Sequence, residues 1–231
     1  MTAKYIAPGL VYLTVLGGAA GCNNNTGPKS MGAVDFRVSA AANAVGTGAA
    51  GGVDIMSLRL VVGPAALGSG DQFGCIDCQG NDNSSDQAEL ISVPTDGTPV
   101  SIATEQVSAG LYSGAEIELR TPDARVTAAA PGWPAGATVE IGGTFIGTAF
   151  TLPLTLAGEF RETLNPPVEV AAGTAPAPIS VTITLPVRDW FVSNGVPLDP
   201  NDPGQRAQIE NNVRLSIHPA DGGETPETEK E

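Results

Sequence analysis

Residues 73–86 read FGCIDCQGNDNSSD, a Cys-x-x-Cys followed by a run of acids and amides. Cys75 and Cys78 could act as a dithiol, supply half a zinc site, or close a small disulfide. A redox dithiol wants a helix N-terminus in a βαβ setting, where the thiolate is stabilised. Here the pair follows Gly68-Ser69-Gly70 in a turn-rich stretch. Zinc wants three or four Cys, His or acidic ligands, and these two cysteines have no second pair, since the chain holds three cysteines and one histidine. Asp82, Ser84 and Asp86, with Asp71 and Asp77 nearby, offer oxygens to calcium. With Asp82 in first place, however, the sixth place is Gln87, where the helix–loop–helix calcium motif needs Gly. An irregular calcium site stays open, and no other cofactor is expected. The expected state of Cys75 and Cys78 is a disulfide that straps a polar loop. The segment from Gly68 to Asp86 is the candidate binding surface, because function concentrates in loops held on rigid scaffolds. Its acids suit a cation or a basic partner.

Other chemistry is thin. The only histidine, His218, sits beside Pro219 at the edge of an acidic tail, and no Gly-x-Ser-x-Gly elbow offers a nucleophile. Gly46-Thr47-Gly48-Ala49-Ala50-Gly51 matches a dinucleotide fingerprint in letters. It precedes a strand pattern instead of a helix, so it reads as a loop. Glu116 and Glu118 could serve as paired carboxylates in glycan hydrolysis. They share the face opposite Ile117 and Leu119, which predicts a solvated pair. Trp133, in PGWP, reads as an exposed loop residue and the best candidate for stacking a sugar; Trp190, beside Phe191, reads as core. No catalytic residue is assigned.

The third cysteine has a different setting. Lys4 opens the chain, residues 5–16 are mostly apolar, and Gly17-Gly18-Ala19-Ala20-Gly21 leads into Cys22. The apolar run is short and broken by Pro8 and Gly9, against the ~20 residues a membrane span needs. It therefore predicts a signal peptide over 1–21. The segment Ala19-Ala20-Gly21-Cys22 resembles the lipidation box of bacterial lipoproteins, which implies a lipid on Cys22. A polar tether would follow (22–32), then one domain (33–218) and a disordered acidic tail (219–231). The charge of −14, from 25 acids and 11 bases, argues against nucleic acid as a partner, because phosphate binding relies on Lys and Arg. It equally argues against adhesion to an anionic membrane through a basic patch, so membrane attachment would come from the lipid.

The elements that must position these residues alternate with period two, the pattern of half-buried strands. In VDFRVSA (34–40), Val34, Phe36 and Val38 face one way. In DIMSLRLVV (54–62), Met56, Leu58, Leu60 and Val62 share a face. Phe150, Leu152, Leu154 and Leu156 follow suit, as do Ile179, Val181, Ile183 and Leu185. Gly and Pro punctuate these runs at short intervals. The pattern predicts an all-β fold, an antiparallel β-sandwich. One short helix is expected near 203–211, capped by Asp202 with Pro203 in its first turn, followed by a last strand from Val213 to His218.

The succession VDIMSLRLVVGP, VSAGLYSGAEIELR, VEIGGTFIGTAFTLPL and ITLPVRDWFVSNGVPLDPND, ending in IENNVRLSI, is similar to a family of uncharacterised β-sandwich domains on bacterial envelope lipoproteins. The similarity covers 33–218, and its sharpest pieces are Gly110-Leu111-Tyr112 and Trp190-Phe191 to Asp199-Pro200. It implies the fold and a place in the cell envelope, as an outer-membrane lipoprotein, and carries no catalytic residues. The expected role is a non-enzymatic binding, adhesion or structural module with a protein or glycan partner. A carboxylate-dependent glycan hydrolase and a calcium-dependent module are the alternatives.

Overall fold

The computed structural model describes residues 30–40, 52–69, 72–73, 87–173 and 177–217. Cys22, Asp71, Cys75, Asp77, Cys78, Asp82, Ser84, Asp86, His218, the run from Gly46 to Gly51 and the acidic tail lie outside the described residues.

The alternating segments form two facing sheets. In the smaller one, β1 (Met31–Ala40) lies between β5 (Val100–Ser108) and β10 (Ile179–Leu185). The larger has seven strands: β2 (Val53–Ser69), β3 (Gln72–Phe73), β4 (Glu89–Val93), β6 (Gly110–Leu119), β7 (Val139–Phe145), β8 (Thr148–Leu154) and β9 (Gly158–Val170). Every pairing in these two sheets is antiparallel except one: β1 runs parallel to β10. The chain forms the all-β sandwich expected from its alternation, and the parallel pair is a feature that alternation does not encode. Strand β1 takes in Met31 and Gly32, which had read as tether.

Strand β2 organises the large sheet. The N–H of Val61 donates to Thr138 O (2.8 Å), and its C=O accepts from Arg120 N–H (3.0 Å). Both backbone groups of one strand residue point to the same edge, so β7 and β6 follow one another along that edge. Strands β4 and β3 share the other edge, through Val62↔Glu89 and Gly68↔Phe73. Two bulges accompany this sharing of one strand among four partners. The second falls at Gly63-Pro64, between the pairs Val62↔Leu119 and Ala65↔Ile117. The first lies between Ile55↔Gly143 and Ser57↔Gly142, with Met56 as the extra residue. It corrects the expected face: Val53, Ile55, Leu58, Leu60 and Val62 are buried, whereas Met56 is 67% exposed. Gly143 makes the bulge sterically possible, because a Cβ there would run into the carbonyl oxygen of Asp54.

The core lies between the sheets. Val34, Phe36 and Val38 are buried in it, as are Phe150, Leu152, Leu154 and Leu156 and the run Val181, Ile183 and Leu185. Tyr112 is buried as well, and its hydroxyl donates to Ser108 O at 2.7 Å, four residues upstream. This is a tyrosine corner, a device of Greek-key sandwiches in which the hydroxyl ties a strand entry back to the preceding backbone. Thr138 ties β7 to the end of β8 in a similar way. Its Oγ1 donates to Leu156 O (3.0 Å) and accepts from Leu156 N–H (3.0 Å).

The chain after β10 closes one end of the core. A single helical turn, α2 (Val187–Trp190), leads to the small hairpin of β11 (Val192–Ser193) and β12 (Val196–Pro197). Trp190 stacks on Phe160 with centroids 6.0 Å apart, and Phe191 tilts against Phe150 at 5.8 Å. Helix α3 (Pro203–Leu215) begins as expected: Pro203 occupies its first turn, and the Asp202 carboxylate accepts from Gly204 N–H and Gln205 N–H. It continues past 211, so residues 213–215, expected to open a last strand, belong to the helix. Ile209 and Val213 are both fully buried, spaced i, i+4 on one helical face, while Leu215 is 77% exposed. The segment from Val213 that read as a strand is the last turn of this helix, with Leu215 on its solvent side.

Candidate functional site

The outer face of the large sheet carries the densest polar chemistry among the described residues. Hydrophobic residues of β2, β6, β7 and β9 face the core in alternation, so Arg59, Glu116, Glu118, Glu140, Glu159 and Arg161 project from the opposite side. The segment between β6 and β7 folds back over part of this face. It includes α1 (Ala124–Ala129), whose cap is the Asp123 carboxylate accepting from Val126 N–H and Arg125 N–H. The bond from Val126 holds the Asp123 carboxyl below its ordinary pKa. Val61, Ala88, Val126, Trp133 and Ala137 form a second, smaller core beneath this cover.

Trp133 is not the exposed platform that its loop suggested. It is 8% exposed, its Nε1–H donates to Ala137 O (2.8 Å), and the Arg59 guanidinium lies 4.8 Å from its ring centroid. Arg59 in turn pairs with Glu140, its Nε standing 3.0 Å from Oε1. The tryptophan is thus held from its edge by a hydrogen bond and from its face by a cation. Trp190, expected in the core, is there: 1% exposed, with Nε1–H donating to Ser216 Oγ at 3.0 Å.

Glu116 and Glu118 also depart from the solvated pair expected of them. Register sets Glu116 opposite Arg161 and Glu118 opposite Glu159. Arg161 bridges Glu116 (Nε to Oε2, 3.1 Å) and Glu159 (Nη2 to Oε2, 2.9 Å), while Arg120 pairs with Glu118 at 3.0 Å. Glu116 is only 9% exposed. Burial pushes its carboxyl up to about 7, helped by the negative charge of Glu159 and opposed by Arg161. Sequence reasoning missed Glu159 and Arg161 because nothing within one strand announces its cross-strand neighbour.

On the smaller sheet, Asp35 accepts from Ser101 Oγ (2.5 Å) and from Arg37 Nε (2.6 Å). The serine bond is the larger cause, ahead of the guanidinium, and together they hold the carboxyl below its ordinary pKa despite its burial.

An open groove of about 410 Å³ lies where β4 ends, lined by residues 56–59 and 92–96. Its one carboxylate is Asp96, an exposed group whose pKa is lowered by accepting from Thr98 N–H. Glu116 and Glu159 do not line it, so the nearest approach to an acid pair and the groove are separate features. Among the described residues, no three His, Cys, Asp or Glu side chains converge as metal ligands.

The loop expected to bind lies outside this geometry, but its stem does not. Strands β3 and β4 both hang on one edge of β2, at Gly68–Ser69 and at Leu58–Val62. The chain that joins them is therefore attached at both ends to a single rigid strand. Compared with known proteins, the chain matches no family model, no curated protein and no solved structure.

Proposed function

We infer that this protein is a lipid-anchored component of a bacterial cell envelope, an outer-membrane lipoprotein whose β-sandwich binds or scaffolds a protein or glycan partner and catalyses no reaction. The observation that carries this reading is the spacing at the N-terminus. The apolar run and small-residue box end at Cys22, and the first strand begins at Met31, nine positions later. A folded module that starts so soon after a lipidation box is arranged for attachment. The described polar side chains favour scaffolding over catalysis. Glu116 and Glu159 both direct an oxygen to Arg161, and Arg59 is committed to Glu140 and Trp133. A disulfide between Cys75 and Cys78 belongs to the same reading, since an exported chain meets an oxidising compartment.

The test is the Cys22→Ala variant expressed beside the native chain in a bacterium with labelled fatty acid. Label and partition into detergent are expected for the native protein and for neither property in the variant. A native protein that is exported, unlabelled and water-soluble would overturn the reading.

A further inference from the structure

The topology gathers one end of the sandwich around the start of β1. Met31 pairs with Ser108 at the end of β5, and Ala109 N–H donates to Ser30 O at 2.8 Å. Gly173 N–H donates to Met31 O at 3.0 Å, just after β9 ends, and Gly110 at the start of β6 pairs with Val170. The last residue of β2 joins them, as Ser69 Oγ donates to Leu111 O at 3.3 Å. Five strands thus begin or finish beside the point where the chain arrives from Cys22.

The geometry points to this end, with Leu111 at its rim, as the surface that rests on the lipid bilayer. The inference builds on the reading of Cys22 as the lipidated residue. Ser30 stands eight positions after Cys22. That length of chain reaches about 28 Å when fully extended and about 16 Å as a flexible coil. The opposite end, at Ile146 in the hairpin that pairs with the start of β2, lies 16 residues farther along that strand from Ser69. That is roughly 50 Å of strand contour, beyond the reach of the tether.

The chemistry of the two ends differs in the same sense. Among the described residues 30–33, 67–69, 107–113 and 168–173, Glu169 is the only charged side chain, in a protein of net charge −14. These described strand ends can approach anionic headgroups with little repulsion. Leu111 is 63% exposed there, an apolar side chain of the kind that settles at the headgroup boundary. At the far end Asp54 stands opposite Thr144, beside the hairpin that carries Ile146. The acids at 71, 77, 82 and 86 lie outside the described residues, so the contact is assigned to the strand ends and not to that stretch.

The experiment uses the full, lipidated protein in vesicles of phosphatidylethanolamine and phosphatidylglycerol with brominated acyl chains, which quench tryptophan only near the bilayer. Leu111→Trp reports on the near end and Ile146→Trp on the far end. Ala109→Trp is a second near-end reporter should Leu111→Trp fail to fold. The buried Trp133 and Trp190 give the same background in all variants. Near-end reporters are expected to lose several-fold more emission than Ile146→Trp, and a long Gly/Ser insertion after Asn25 should erase the difference. Equal quenching at the two ends, or stronger quenching at Ile146→Trp, in protein that floats with the vesicles would overturn the assigned face and leave the anchor standing. Protein that does not float with vesicles would overturn the anchor, and the assigned face with it.

Discussion

Replacing Glu116 by Gln isolates the free energy of ionising a buried carboxyl on this sheet. In the unfolded chain Glu116 loses its proton near 4.5, while in the folded protein burial and Glu159 keep it protonated up to about 7. Between those values the folded state holds more protons than the unfolded state, so stability falls as pH rises, and it levels off above 7. The interval of about 2.5 units, at 1.36 kcal/mol each, sets a ceiling of about 3 kcal/mol. The Gln side chain imitates the protonated acid and can still accept from Arg161. The variant should therefore match the native protein near pH 4 and exceed it by up to about 3 kcal/mol at pH 8. Urea unfolding of both proteins across that range reads the difference directly. Contributions from other groups, including Asp35, whose lowered pKa adds stability that is lost on acidification, cancel in the comparison. Parallel stability curves, or a variant that loses ground as pH rises, would refute the assignment of Glu116 as the buried, proton-holding member of the pair.

Two further outcomes follow from the frame of the sandwich. Tyr112→Phe removes the 2.7 Å bond to Ser108 O and should cost about 1–3 kcal/mol in urea unfolding; an unchanged midpoint would mean that the corner does not stabilise the entry to β6. Gly143→Ala places a methyl group against Asp54 O at the first bulge of β2 and should cost about 1–3 kcal/mol, whereas the same change at Gly147, with open space around it, isolates the strain of a positive φ from that of a clash. No loss on Gly143→Ala would mean that the close approach to Asp54 O does not set the requirement for glycine at the bulge.

Much of the fold was legible because burial on one face of a strand writes itself into the sequence at period two. Phe150 to Leu156 and Val181 to Leu185 are buried as their spacing says. The readings failed where a local signal had two sources. Met56 falls in phase with Leu58 and Leu60, yet the bulge inserts one residue and turns it outward; the signal for this lay on another strand, in Gly142 and Gly143. Val213 and Leu215 alternate as a strand would, and only Ile209, four residues before Val213, marks the face of a helix. The parallel pairing of β1 with β10 joins residues about 145 positions apart, such as Val34 and Ile179, and no pattern within either strand specifies that partner.

Trp133 and Glu116 show why the polar sites were harder to read than the core. Each was placed by its own neighbours in sequence, a proline-rich loop for one and an alternating strand for the other, and both settings suggest exposure. What decided otherwise came from elsewhere in the chain. Arg59 and Glu140 stand opposite each other on β2 and β7, which puts the guanidinium where the tryptophan ring can lie under it. Arg161 stands opposite Glu116 on β9, which lets a carboxyl tolerate burial beside a second carboxyl. Apolar burial follows from a residue's own chemistry and its phase, whereas burial of a charge depends on a partner that supplies the counter-charge. A candidate site built from charged residues is therefore a property of register. The two arginines that organise this face became visible only once β2, β6, β7 and β9 were aligned.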